Sequence, residues 1–190
     1  AFGFARHWEY GGTMLTDLDE IRRLARQHAA EDLEFRRHIH DRHIPIQPLR
    51  ERVRALLKQF DCTKCANCCR QTRVPVSANE IAGIAACLAM EAATVRRLYT
   101  ERGDDCPETL LKQPDDACVF LDGGVCMVYE ARPGACRQFP AIALHADLLG
   151  SRLPSVCRQA AICPVVYEAL EEFKRLTGFH PKARARVGVS

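Results

Sequence analysis

The chain carries eleven cysteines, none of them before Cys62, and four fall within the eight residues Cys62-Thr63-Lys64-Cys65-Ala66-Asn67-Cys68-Cys69. That crowding constrains the fold more than any other feature. An odd number cannot be paired off completely into internal disulfides, and no apolar run followed by small residues marks a secretory leader. Disulfide frameworks also belong mostly to secreted chains shorter than this one of 190 residues. The expectation is therefore a reducing, cytoplasmic setting in which thiolates hold metal.

The spacing has a physical reason. A two-residue gap lets the backbone curl so that both sulfurs meet one metal while backbone N–H groups turn toward them. Three such cysteines in series resemble the C-x2-C-x2-C run of ferredoxins. Cys68 and Cys69 are chain neighbours, about 3.8 Å apart at Cα, so their side chains diverge toward two adjacent sites or opposite sides of one. A later set follows: Cys118, Cys126, Cys136, and Cys163 directly before Pro164. Four early and four late thiols would fill two four-coordinate sites or one larger polynuclear site. Zinc held by thiolates and a 4Fe–4S cluster both satisfy this arithmetic. The consecutive two-residue gaps and the remote Cys-Pro favour iron. The expected ligands are thus Cys62, Cys65, Cys68, Cys69, Cys118, Cys126, Cys136 and Cys163. Cys87, among Ala and Leu, reads as core; Cys106, beside Pro107, reads as incidental; Cys157 stays open as a replacement for or supplement to Cys163.

Around this cluster the composition is that of a soluble globular chain, with 47% hydrophobic and 27% charged residues. No stretch approaches the ~20 apolar residues of a membrane helix. A net charge of +3 is too mild to make nucleic acid or an anionic membrane the default partner. Residues 1–13 read as a leading tail or expression remnant. Residues 14–59 read as a helical extension, with one helix starting at an N-cap Thr16 and running to about His43, and another over Leu49 to Phe60. Residues 60–166 form the cysteine domain, and 167–190 the C-terminal helix and tail. Within the cysteine domain, Val74-Pro75-Val76 reads as extended, and Ser77-Ala78-Asn79-Glu80 has the form of a capping box opening a helix. A further helix is expected over Thr94–Glu101. Asp122-Gly123-Gly124 lies between two apolar runs as the turn of a β-hairpin. A last helix is read over Val165–Leu176. The fold class expected is α+β, mainly helical with a short hairpin, its cysteine-rich part organised by metal.

Several blocks, in order, resemble one known family. They are Phe60-Asp61-Cys62 through Arg70, then Val74 to Ile84, Cys118-Val119-Phe120-Leu121, Cys126-Met127-Val128-Tyr129-Glu130-Ala131-Arg132-Pro133, Cys136-Arg137-Gln138-Phe139-Pro140, and Cys163-Pro164. Together they resemble the CxxCxxCC, YkgJ-type family of zinc- or iron-chelating proteins. The resemblance implies metal binding through these cysteines. Flagellin lysine N-methylase, which shares the signature, is associated with an iron–sulfur cluster and S-adenosylmethionine, so a redox or protein- or peptide-modifying reaction is one expectation. Where the family often has Gly after the second cysteine, this chain has Ala66; a left-handed residue needed there would be supplied by Asn67.

The rival readings are a zinc-stabilised interaction module whose N-terminal helices dock a protein or peptide partner, and a thiol redox sensor working through Cys68 and Cys69. Arg70, Arg132 and Arg137 adjoin the cysteine blocks and are read as braces or as compensation for thiolate charge. His38, His40 and His43 lie among Arg36, Arg37 and Arg42, which oppose cation binding, and read as a solvated face.

Overall fold

The computed structural model describes residues 14–103, 107–141 and 149–181. In chain order its helices are α1 (Leu18–Asp41), α2 (Gln47–Leu57), α3 (Cys62–Cys65), α4 (Asn67–Gln71), α5 (Ala78–Cys87) and α6 (Ala92–Tyr99). The strands β1 (Thr100–Arg102), β2 (Thr109–Leu111), β3 (Leu121–Asp122) and β4 (Val125–Cys126) follow, then α7 (Gly134–Arg137), α8 (Leu149–Ala160) and α9 (Pro164–Leu176). The architecture is α+β and mainly helical, as expected, with two short antiparallel strand pairs. Among the described residues no single helix is long and apolar enough to cross a membrane. The chain divides into two bodies, residues 1–59 with 142–190, and residues 60–141.

The first body is held by apolar helix faces. In it α9 packs on α2 and α8, and α1 packs on α8 and α9. Asp17, not Thr16, caps α1: its carboxylate accepts from the Asp19 and Glu20 backbone N–H groups at 3.0 Å each. An ionised carboxylate at a helix N-terminus also opposes the positive end of the dipole, which favours Asp over Thr. Phe35, Leu49, Val53 and Phe173 are fully buried, and the Phe35 and Phe173 rings meet edge-on at 6.0 Å. His38 departs from the solvated face expected of it. It is half-buried against Phe35 and Phe179, and a ring nitrogen lies 3.1 Å from the Thr177 carbonyl.

The second body has much shorter elements. Its core joins Ile81, Ile84 and Ala85 of α5 to Val95 of α6, Leu111 of β2, Phe120 and Val128. The capping box forms as read: Ser77 Oγ accepts from the Glu80 backbone N–H, and the Glu80 carboxylate accepts from the Ser77 N–H. Residues 74–76 lie extended along β2, with Val76 N–H donating to Thr109 O and Leu111 N–H to Val74 O, both at 2.9 Å. The helix expected to reach Glu101 stops at Tyr99, because Thr100 and Glu101 pair with Leu111 and Leu110 as β1. The hairpin forms at β3–β4, with Gly123 and Gly124 both at positive φ, as a two-residue type I′ turn requires.

Candidate metal centre

The cysteine run folds as two helical turns about a left-handed pivot. Asp61 caps the first turn, accepting from Thr63 N–H at 3.0 Å and from Thr63 Oγ1 at 2.5 Å. These bonds hold the Asp61 carboxyl below its ordinary pKa. Ala66 ends α3 and starts α4 at φ 46°, ψ 19°, its N–H donating to Cys62 O. The pivot is therefore Ala66 itself and not Asn67, which is buried as the first residue of α4. A left-handed alanine costs about 1–2 kcal/mol relative to a right-handed one, which is the position's reason for favouring glycine. The reversal turns Cys62, Cys68 and Cys69 toward one side.

Later segments complete that side. Cys118 N–H donates to Cys69 O at 2.9 Å, fastening the second cysteine block to the first. The hairpin turn presses on the same run: a Cβ on Gly124 would meet Thr63 O at 2.5 Å, so only glycine fits there. Glu80 does double duty. While one carboxylate oxygen serves the capping box, the other accepts from Gly134 N–H at 2.7 Å, at the start of the helical turn that carries Cys136. These bonds depress the Glu80 pKa. The capping box was legible in the sequence, but this second use of the carboxylate was not.

The outcome is a cavity of about 200 Å³ lined by Cys62, Cys68, Cys69, Cys118, Cys126 and Cys136. Apolar walls from Val74, Leu111, Phe120, Val128 and Phe139 surround these thiols, and Arg132 is the one charged side chain among the described lining residues. No three described Cys, His, Asp or Glu side chains are gathered round a single point as ligands of one ion. Cys65, half-buried, is not part of the lining; its carbonyl accepts from Arg70 at 3.3 Å. Cys163 belongs to the other body, buried at the N-cap of α9 just before Pro164. Cys157 also lies there, on α8, and Cys106 lies outside the described residues. Cys87, expected in the core, is exposed: Ile81, Ile84 and Ala85 form the inward stripe of α5, and position 87 falls off it.

The electrostatics divide the thiols. Burial pushes Cys136 up to about 12, with the neighbouring Cys118, Cys69 and Cys126 adding to it. Burial also raises Cys62, Cys118 and Cys126, and the Phe120 and Val128 backbone N–H groups partly relieve the latter two. Cys69 moves the other way, to about 6, because the Cys68 thiol bonds to it and Arg70 and Arg132 stand nearby. Arg132 is fixed over the Tyr129 ring at 3.4 Å, donates from Nε to Tyr129 O, and receives Arg137 on its own carbonyl. The arginines thus brace the hairpin end, and Arg132 places positive charge among the sulfurs. All the cysteine donors at the cavity are soft sulfur, the chemistry that selects zinc, copper(I) or iron–sulfur clusters.

A cysteine-rich, metal-chelating class of protein is what this donor set defines. The family model described as "putative zinc- or iron-chelating domain", CxxCxxCC, matches residues 61–164, and the chain belongs to that family. Comparison with curated proteins and with solved structures gives no match.

Proposed function

We propose that the chain is an iron–sulfur protein whose cluster is held by thiolates of the 60–141 body. The observation that carries this reading is that six thiols, from the first run, the segment before the hairpin, β4 and α7, line one apolar cavity. Four thiolates hold a tetrahedral zinc or a single iron–sulfur cluster alike; the consecutive two-residue gaps of the first run, like those of ferredoxins, favour the cluster. Bound metal would also offset the burial, and after it the neighbouring thiols, that raise Cys62 and Cys136, since only thiolates ligate. The amides aimed at Cys118 and Cys126 and the guanidinium of Arg132 would stabilise the negative charge of a thiolate-bound cluster.

Anaerobic purification followed by iron, zinc and acid-labile sulfide analysis tests the reading. The native chain is expected to carry iron and sulfide in near-equal amounts; Cys126→Ser should lose both, and Cys87→Ser should keep them. Zinc as the sole metal, or equal losses in the two variants, would reject it.

A further inference from the structure

The body of residues 1–59 with 142–190 carries a second recess, independent of the thiol cavity. A groove of about 320 Å³ runs between α1 and α8, floored by small or apolar side chains that include Ala29, Leu33, Pro154 and Ala161. Arg26 and Arg36 of α1 and Arg158 of α8 rim it. Positions 26, 29, 33 and 36 follow three- and four-residue spacing, so they share one helix face. Leu33 is 56% exposed; the other large apolar side chains left open among the described residues, Leu98, Val125, Met127 and Tyr129, belong to the 60–141 body.

The charges at this groove are unbalanced. Near the start of α1 arginines are neutralised locally, Arg22 by Asp19 at 2.9 Å and Arg23 by Glu20 at 2.5 Å. Among the described residues, Arg26, Arg36 and Arg158 have no carboxylate partner. The one carboxylate among the groove's described lining residues, Asp32, pairs at 2.8 Å with the buried Lys174, which also holds Glu171 at 2.7 Å. Three guanidinium groups against one carboxylate therefore leave the groove's lining net positive around an apolar floor. A single exposed leucine is ordinary, but one set among uncompensated arginines on a grooved helix pair is complementary to a defined chemistry.

We propose that the α1–α8 groove docks an acidic amphipathic segment of a partner protein. Its apolar side chains lie over Ala29 and Leu33, and its carboxylates meet Arg26, Arg36 and Arg158. This is the helix-in-groove mode with a charged rim, in which apolar anchors supply affinity and the rim supplies salt-sensitive steering.

The test uses the full chain and a helical peptide of about 18 residues, long enough to form a helix, with Leu on one face and Glu on the other. Its counterpart carries Gln in place of Glu. Fluorescence anisotropy should show the acidic peptide binding at least about tenfold more tightly than the Gln peptide, with the advantage shrinking between about 0.05 M and 0.5 M salt. The triple variant Arg26→Gln, Arg36→Gln, Arg158→Gln should abolish the advantage, and Leu33→Gln should weaken both peptides while preserving the salt dependence. Circular dichroism checks that these surface variants stay folded. Equal affinity for the two peptides, or a triple variant that binds like the native chain, would overturn the proposal. So would binding to phosphatidylglycerol vesicles with no binding to the acidic peptide.

Discussion

The two bodies of this chain reach order by different routes. The helical body buries long apolar faces: Ile21, Phe35, Leu49, Val53, Val165, Val166, Ala169 and Phe173 are all fully excluded from solvent. The 60–141 body is built from helices of four to ten residues and strands of two or three, and one side of it is a wall of thiols. Elements that short are marginal alone and depend on what they pack against. In the first body these buried apolar faces supply the contacts that hold the helices together. In the second, on our reading, metal ligation joins the small apolar cluster in setting the structure.

The largest effect expected within the helical body is that of Phe173→Ala. Removing a fully buried ring that meets Phe35 edge-on should cost about 3–5 kcal/mol in denaturant unfolding. Metal content should be unchanged, and parallel loss of metal would break the contrast between the bodies.

A smaller effect lies in the cysteine body, at Glu80. Glu80→Gln weakens the charge-assisted bonds to Ser77 and Gly134 and should cost about 1–2 kcal/mol. The hydrogen bonds depress the folded-state pKa below the ordinary 4.5. The stabilisation is therefore complete above about pH 4.5 and is lost as the pH falls through the lower folded-state value. Native and Glu80→Gln stabilities measured from pH 7 down to pH 3 should converge. A constant gap would show that Glu80 acts by packing alone.

The smallest effect has the opposite sign. Ala66→Gly relieves the left-handed strain at the pivot, less the greater entropy of glycine in the unfolded chain, and should stabilise by up to about 1 kcal/mol. A destabilised variant would mean that the buried alanine methyl matters more than the backbone angle.

What was legible in the sequence was local chemistry. Ser77 and Glu80 cap a helix by bonds within four residues, and Gly123-Gly124 turns a hairpin with its own φ angles, so neither needs tertiary information. The nearness of distant cysteines was legible only because thiols at metal spacing have few other uses; six of the eight singled out line the cavity, which places them together without showing that they ligate. Features set by other segments were missed. Asn67 tolerates a left-handed backbone better than Ala66, yet the end of α3 falls one residue earlier and Asn67 is buried in α4. Thr100 reads as the end of a helix but is drawn into β1 by Leu111. The helix α8 went unread, since its interior contains Pro154. Cys87 shows that Ala and Leu neighbours do not fix which side of a short helix faces inward.

Hydrogen exchange followed along the chain, before and after anaerobic metal removal, separates the two routes to order. Amides of residues 62–71 and 118–137 should lose protection on removal while those of α1, α2 and α9 keep theirs, and protection should return when iron and sulfide are restored. A chain purified under reducing, air-free conditions that contains no transition metal, yet protects residues 62–71 and 118–137 fully, would contradict metal-dependent order in the 60–141 body.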